Sequence, residues 1–548
     1  MSAKVEGVVA PCERAPLPEV ESCVIVIFGA SGDLSKRKLI PALYDLFHAG
    51  CLKRNFAVLG VGQSTWSDEE FRAQMREGAE KSEDVDEFND AKWQEFAAHL
   101  TYTTGDLTTD AIYNEVATRS EKLHEQIAPN AARNRLFYFS TPPSLAPVMV
   151  KHLGAAGLNN EEHGWSRIII EKPFGRDLAS AQSLNAEIAS VFNEHQVFRI
   201  DHYLGKETVQ NILVFRFGNS IFEPVWNRNY IDYVEITAAE TLGIGGRAGY
   251  YEEAGALRDM VANHLLQLLA LTAMEPPVAF DADSVREEKV QVFRSIRPMT
   301  PDDVTRKTVR GQYGAGTVEG QQVPAYRNEQ GVKKDSNTET FVAVEFCIEN
   351  WRWAGVPFYV RTGKRLADKV SEIAIHFKRT PQALFARTPE DRIEPNVIVL
   401  RIQPDEGMTV TIATKLPGME MHAGTVHMVF NYESGFGVRT AAAYETLLLD
   451  ALQGDATLFT RRDETEAEWR LITPIEEAWA QAAAPPFPNY AAGSDGPRAA
   501  DELLARAGHR WRALQESHID TQAASESVSQ QTNDGAHVQA QAEEVAQA

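Results

Sequence analysis

The chain has 548 residues, of which 43% are hydrophobic, 9% aromatic and 24% charged, a balance that supplies a sizeable core and excludes wholesale disorder. Its 54 basic and 77 acidic residues leave a formal charge of -23, so the basic footprint of a nucleic-acid binder is absent. The 4 cysteines show no CxxC spacing, no run reaches the length of a membrane span, and Met1 to Val20 lacks the apolar core of a signal peptide, so a soluble cytoplasmic protein is expected.

In chain order, residues 1–21 read as a disordered leader. From 22 to 200, strand-like and helix-like segments alternate. Cys23 to Phe28 (CVIVIF) is a continuous apolar, β-branched run, as in a strand covered on both faces. It leads into Gly29-Ala30-Ser31-Gly32-Asp33 and then an amphipathic helix, Leu34 to Ala49, with Gly50 as its C-cap. Phe56 to Val61, Arg135 to Ser140 and Arg167 to Ile170 read as further strands, and a helix starts after Pro142-Pro143. This alternation predicts a Rossmann-like, doubly wound parallel sheet.

Beyond residue 200, strand-like runs follow one another: Ile231 to Ala238, Phe341 to Ile348, Phe358 to Arg361, Glu372 to Phe377, Asn396 to Ile402, Met408 to Thr414 and Val426 to Phe430. They predict a large, mostly antiparallel sheet covered by helices such as Leu257 to Met274. The expected fold is therefore an α/β dinucleotide-binding domain (22–200) followed by an α+β domain for substrate binding and oligomerisation (201–514). After Arg512 there is no Lys or Arg, and acidic residues sit in a Gln, Ala and Ser matrix. Residues 515–548 therefore read as a disordered acidic tail.

Four constellations could carry chemistry. In the first, Gly29 to Lys38, Ser31 takes the second glycine place of GxGxxG and Leu34 the third. Such a turn either cradles a pyrophosphate on backbone N–H groups and the positive end of a helix, or only connects strand to helix. Lys36, Arg37 and Lys38 favour an anion. At the end of the second strand, Gln63 stands where an acidic residue would hold ribose hydroxyls or an arginine a 2′-phosphate, so this site leaves the cofactor open.

The second constellation is Glu171-Lys172-Pro173. Lys172 ends a parallel strand, on the edge where such sheets bind ligands, and either reaches a sugar hydroxyl or pairs with Glu171. The third, Arg199 to Glu207, gathers His202, Tyr203 and Lys206, a set that suits a phosphate monoester or simply forms a polar loop. In the fourth, His264 shares a packing stripe with Leu257, Val261 and Gln267. It is a core histidine unless a carboxylate such as Asp201 holds one ring nitrogen and frees the other to take a proton. At α-helical spacing Asp259 lies about 140° around the helix from His264.

In this order, the phrases GASGDLSKRKLIPALYDL (29–46), EKPFGRD (171–177), RIDHYLGKE (199–207), RDMVANHLLQ (258–267) and RTGKRLADK (361–369) closely resemble the glucose-6-phosphate dehydrogenase family. The resemblance spans roughly residues 22–510 and implies oxidation of D-glucose 6-phosphate at C1 to 6-phospho-D-glucono-1,5-lactone with hydride transfer to NADP. That is the first step of the oxidative pentose phosphate pathway, run by a homodimer or homotetramer without a metal.

On that pattern His264 is the base, Asp201 its partner, and Lys172 touches both sugar and cofactor. His202, Tyr203 and Lys206 grip the phosphate, Glu240 and Asp259 bind hydroxyls, and Lys364 and Lys369 complete the sugar-phosphate site. Gly29, Ala30, Ser31, Gly32, Asp33, Leu34, Ser35, Lys36 and Gln63 line the cofactor. Gln63 departs from the arginine common in NADP-specific members, so NADP with appreciable use of NAD is expected. Two rivals are a glucose-fructose-oxidoreductase-type enzyme, which leaves RIDHYLGKE unexplained, and a non-catalytic NADP(H)-sensing protein, which has no need of Asp201, His264 and Lys172.

Overall fold

A computed structural model describes residues 20–516, apart from 54, 86, 381–392 and 437–439. Strand β1 (Cys23–Phe28) is buried at every position, as a continuous apolar run requires. It lies inside a sheet with β2 (Phe56–Gly62), β3 (Leu100–Thr104), β4 (Asn134–Phe139), β5 (Ser166–Glu171) and β6 (Val197–Ile200). The order is β6-β5-β4-β1-β2-β3, with every pair parallel. Helices cover both faces: Tyr44, Phe71 and Trp93 pack on one side, and Tyr113, Met149 and Ile188 on the other. The doubly wound expectation holds. Strands β3 (LTYTT) and β6 (VFRI) escape the sequence reading because one is half polar and the other only four residues long.

A seventh strand, Phe459–Thr460, pairs antiparallel with β6. The helix Ala443–Gln453 lays Leu447, Leu448 and Leu452 into the core beneath β1. The boundary at 200 is therefore crossed by the first sheet as well as by the packing, since the later segment covers an otherwise open edge. The described residues begin before 22: Val20 is buried, and the Glu21 carboxylate accepts from Asn134 and Trp165. The start of the expected tail is described as well, with Arg512 donating to Glu516 at 3.2 Å. The remainder of leader and tail, 1–19 and 517–548, lies outside the described residues.

The second sheet centres on β7 (Ile231–Ala239). On one side of β7 lie Val370–Phe377, Val397–Gln403, Gly407–Lys415 and Ala423–Asn431, and on the other Pro357–Gly363, Phe341–Cys347 and Thr308–Gly311. All neighbours are antiparallel except β7 with Pro357–Gly363. One face packs Ile236, Val344 and Ile373 against Leu265, Leu268, Val292 and Ile472 from the covering helices. No described helix is long and apolar enough to cross a membrane.

The expected helix Leu257 to Met274 is two helices of different winding. Leu257–Leu265 is π-helical and Leu266–Ala273 is α-helical. Gly255 introduces the first at φ +61°, where an added Cβ would lie 2.2 Å from Glu339 Oε1, so only glycine fits. Because π-helical bonds run from i to i+5, residues five apart stack. Asp259 and His264 therefore share a face, and the angular separation expected for α-helical spacing is corrected. Ser35–Leu39, at the start of the helix after the glycine-rich turn, is also π-helical.

Candidate active site

The carboxyl ends of β5 and β6 and the π-helical segment enclose a cleft of about 720 Å³. Asp201 directly follows β6, and its Oδ1 lies 2.5 Å from His264 Nδ1 with both side chains buried. The same oxygen accepts the Tyr203 N–H at 2.9 Å, while Oδ2 has no hydrogen-bond partner among the described residues. The Tyr203 ring stacks on the imidazole at 4.4 Å. With Nδ1–H directed to Asp201, His264 Nε2 is left as the acceptor facing the cleft.

Lys172 Nζ, at the end of β5, sits 2.7 Å from His264 Nε2 and donates to the Asp259 carbonyl at 2.9 Å, with Asp259 Oδ1 at 3.5 Å. One ammonium can touch both Asp259 and His264 because of the π-helical winding. Glu171 does not take the lysine; its carboxylate accepts from Tyr138 at 2.5 Å and from Tyr444 at 3.0 Å. Burial raises the Glu171 pKa above the usual carboxylate value.

Burial also favours neutral imidazoles. His264 is held below its ordinary pKa, mainly by desolvation and only partly offset by Asp201. Desolvation opposes the Asp201 carboxylate, but His264 beside it keeps that group well below the usual range. The dyad is thus a neutral base with an ionised partner. His202, 4.5 Å from His264 between ring centres, is pushed well below its ordinary value by burial and then by the charges of His264 and Lys172. Its neutral form, a hydrogen-bond donor, is therefore favoured.

Further along the cleft, Lys206 Nζ lies 4.5 Å above the Tyr203 ring and donates to Gln403. Burial lowers its pKa to about 8. Lys364 pairs with Glu240, and Tyr250 donates to Asp259 Oδ1 at 3.1 Å.

At the opposite end, Gly29 has φ +81°, and an added Cβ would fall 2.0 Å from Ser140 O. The Gly29 and Ala30 N–H groups both donate to Val61 O, and Gly32 N–H donates to Gly29 O. Buried Ser35 ties Gly29 O to Ser140 Oγ. Leu34, Ser140, Thr141 and Lys172 line the shared cleft. This pinned, side-chain-poor turn, opening a helix beside the cleft, fits the pyrophosphate of a dinucleotide. Its cations are partly committed elsewhere: Lys36 pairs with Glu77 at 2.7 Å and Lys38 with Asp84 at 2.5 Å, while Arg37 and Asp33 form an exposed pair at 3.4 Å. Gln63 is exposed.

Family descriptions match almost the whole of this architecture: "Glucose-6-phosphate dehydrogenase, NAD binding domain" over residues 26–211 and "Glucose-6-phosphate dehydrogenase, C-terminal domain" over 213–512. The chain belongs to the glucose-6-phosphate dehydrogenase family. It is 49% identical over 494 residues to glucose-6-phosphate 1-dehydrogenase of Aggregatibacter actinomycetemcomitans, covering 90% of this chain and 98% of that one. The Bacillus subtilis enzyme of the same name is 45% identical over 489 residues, covering 89% and 98%. Among solved structures, a glucose-6-phosphate dehydrogenase in complex with its substrate glucose-6-phosphate superposes with a TM-score of 0.82 at 38% identity, covering 91% of this chain and all of that one. The Mycobacterium avium glucose-6-phosphate 1-dehydrogenase follows at 0.75 and 36%, covering 90% and 99%.

Of the residues singled out by likeness to the glucose-6-phosphate dehydrogenase family, Lys172, His202, Tyr203, Glu240, Asp259, His264, Lys364 and Leu34 converge on the cleft. Asp201 and Lys206 stand directly behind its wall. Lys369 is exposed and off the wall, although its charge still acts on Lys206. Tyr138, Arg247, Tyr250, Gln403 and Tyr444 escape the sequence reading. Gln403, a polar residue closing an apolar strand run, carries the one local signal; the others depend on pairings between distant segments.

Proposed function

We propose that this chain oxidises D-glucose 6-phosphate at C1 to 6-phospho-D-glucono-1,5-lactone using NADP, with appreciable use of NAD, as the first step of the oxidative pentose phosphate pathway. The observation that carries this reading is the Asp201–His264 dyad, whose Nε2 faces a cleft also reached by Lys172 and by the His202–Lys206 loop. Residues 29–36, with Ser31, Arg37 and Gln63 toward the ribose, would hold the dinucleotide. When bound, NADP supplies the two-electron acceptor for the hydride leaving C1.

The chain's own residues do the rest. His264 Nε2 takes the C1 hydroxyl proton as the lactone carbonyl forms, and Asp201 stabilises the resulting imidazolium. Lys172 Nζ contacts the same nitrogen at 2.7 Å, so the sugar hydroxyl displaces or shares that contact. A phosphate favours protonated His202, which then grips it together with Lys206, Tyr203, the buried Lys364 and, from the rim, Lys369. Glu240 and Asp259 accept from ring hydroxyls. Fixing the phosphate far from C1 orients the reacting carbon, an effect worth several kcal/mol in favourable cases (about 7 or more).

Residues 22–200 act as the nucleotide domain and 201–514 as the sugar and assembly domain. Exposed Ile412, Leu416, Met421 and Met428 on the outer hairpin support a homodimer or homotetramer, to be checked by sedimentation. A cytoplasmic location accords with the reaction. The functional test is NADPH formation with glucose 6-phosphate and with glucose. Turnover confined to the phosphorylated sugar is expected, and equal rates with both would overturn the reading.

A further inference from the structure

Behind His264, away from the cleft, lies a cluster of four buried polar side chains that the reaction above does not use. Gln267 Nε2 donates to Glu464 Oε1 at 2.7 Å and to Glu468 Oε1 at 2.6 Å. Lys289 Nζ donates to Gln267 Oε1 at 2.9 Å and pairs with Glu464 at 2.7 Å. None of the four is more than 4% exposed. Burying two carboxylates and an ammonium is costly, and hydrophobic replacements of similar volume are often as stable, so stability alone is a poor reason for such a network.

The wiring offers another reason. Gln267 stands three residues after His264, where the π-helical segment passes into Leu266–Ala273. Glu464 and Glu468 stand one turn apart on Arg462–Gln481, and Glu464 Oε2 also accepts the Arg461 N–H. Arg461 directly follows Phe459–Thr460, which pairs with Ile200 and Arg199. Asp201 is the next residue after Ile200. A continuous path of hydrogen bonds and main chain thus runs from the helix that follows His264 to the strand that Asp201 directly follows. A parallel tie holds the same strand: Arg199 bonds Glu194 at 2.6 Å, and Glu194 accepts the Arg462 N–H at 2.9 Å.

We propose that Gln267, backed by Lys289, Glu464 and Glu468, is a positioning residue that locks the helix carrying His264 to the strand carrying Asp201 and so sets the contact within the dyad. This rests on the reading of His264 as the base. Burial first and the Glu464 charge second push the Glu468 carboxyl well above the usual carboxylate range, which favours its neutral form beside the Lys289–Glu464 pair.

A purely structural role and a positioning role differ in one readout. His264 is faced by Asp201 and His202 from the loop after β6, by Lys172 from the loop after β5 and by Asp259 from its own helix; of these, Asp201 most strongly supports the imidazolium. Loosening the dyad leaves burial and the Lys172 charge dominant, so protonation of the base becomes harder and the acid limb of the pH–rate profile moves to lower pH.

The test compares Gln267→Leu, of similar volume, with the unmodified enzyme by kcat, KM and the pH profile of kcat/KM. The expected result is a kcat lowered about tenfold or more with KM for glucose 6-phosphate within about threefold, and the acid limb displaced toward lower pH. Normal kcat with an unmoved limb in folded Gln267→Leu overturns the proposal, whatever happens to Tm. Should Gln267→Leu fail to fold, the double variant Lys289→Met/Glu464→Gln, which removes the ion pair together, is judged by the same criteria. The outcomes remain separable from the base assignment: His264→Asn with normal turnover would sink that assignment, whereas an inactive His264→Asn beside a normal Gln267→Leu sinks only the positioning role.

Discussion

At the sugar end of the cleft, charged side chains from β5, the loop after β6, the π-helical segment and the loop after Pro357–Gly363 are buried and bonded to one another. At the nucleotide end, the cations sit on one helical turn, are more open to water and pair with acids of the same domain. The contrast shows where discrimination is built. A desolvated, cross-braced charge responds strongly to the loss of a partner, whereas an exposed pair is worth a few tenths of a kcal/mol to about 1 kcal/mol. Substrate choice should therefore be strict and dinucleotide choice lax.

The largest expected effect lies at the sugar end. His264→Asn should lose about 100- to 10,000-fold in kcat, the usual contribution of general-base catalysis, while calorimetry still registers glucose 6-phosphate binding. Near-normal turnover would remove His264 from the chemistry. Next, Lys206→Gln should raise KM for glucose 6-phosphate by roughly 10- to 100-fold, as expected for a lost hydrogen bond to a charged group; an unchanged KM would detach Lys206 from the phosphate.

The same lysine predicts a pH dependence. Burial lowers its pKa to about 8, so its charge is complete below that value and is lost as pH rises through it. The measured kcat/KM should decline above about pH 8, and Lys206→Arg should abolish that decline because a guanidinium stays charged. A basic limb that persists in Lys206→Arg would assign it to another group. The smallest effect belongs to the nucleotide end. Gln63→Arg should move the NADP-to-NAD ratio of kcat/KM toward NADP by about five- to tenfold, close to 1 kcal/mol at an exposed position. Strict NADP specificity in the unmodified enzyme would contradict the comparison itself.

Much of this asymmetry could not be read from the chain. The parallel sheet is legible because CVIVIF and RIII are runs that only a covered strand tolerates, and the glycine-rich turn because Gly29 precedes a helix. The motifs also named the main cleft residues through family likeness, although spacing alone left His264 open as a core histidine. What stayed hidden depends on distance along the sequence or on helix winding. Tyr444 reaches Glu171 across 273 positions, and Lys36 finds Glu77 on another helix. No periodicity template marks where Asp259 and His264 come to share a face, because a 3.6-residue repeat is assumed from the outset. The charge of His202 is likewise set by His264, Lys172 and Asp201, neighbours that do not all lie in the local phrase.

The π-helical stretch has an implication for how this catalyst tolerates change. Between Asp259 and His264 the chain makes one full turn with about one residue more than an α-helix would use. Adding a single residue to that interval would leave every functional side chain chemically intact, yet rotate one of the pair away from Lys172, whereas removing one leaves an i, i+4 spacing that still shares a face in an α-helix. Here the active site is specified by a count as well as by identities: substitutions at the buried Met260, Val261 and Ala262 act through packing, whereas a one-residue insertion among them should be as damaging as loss of the base.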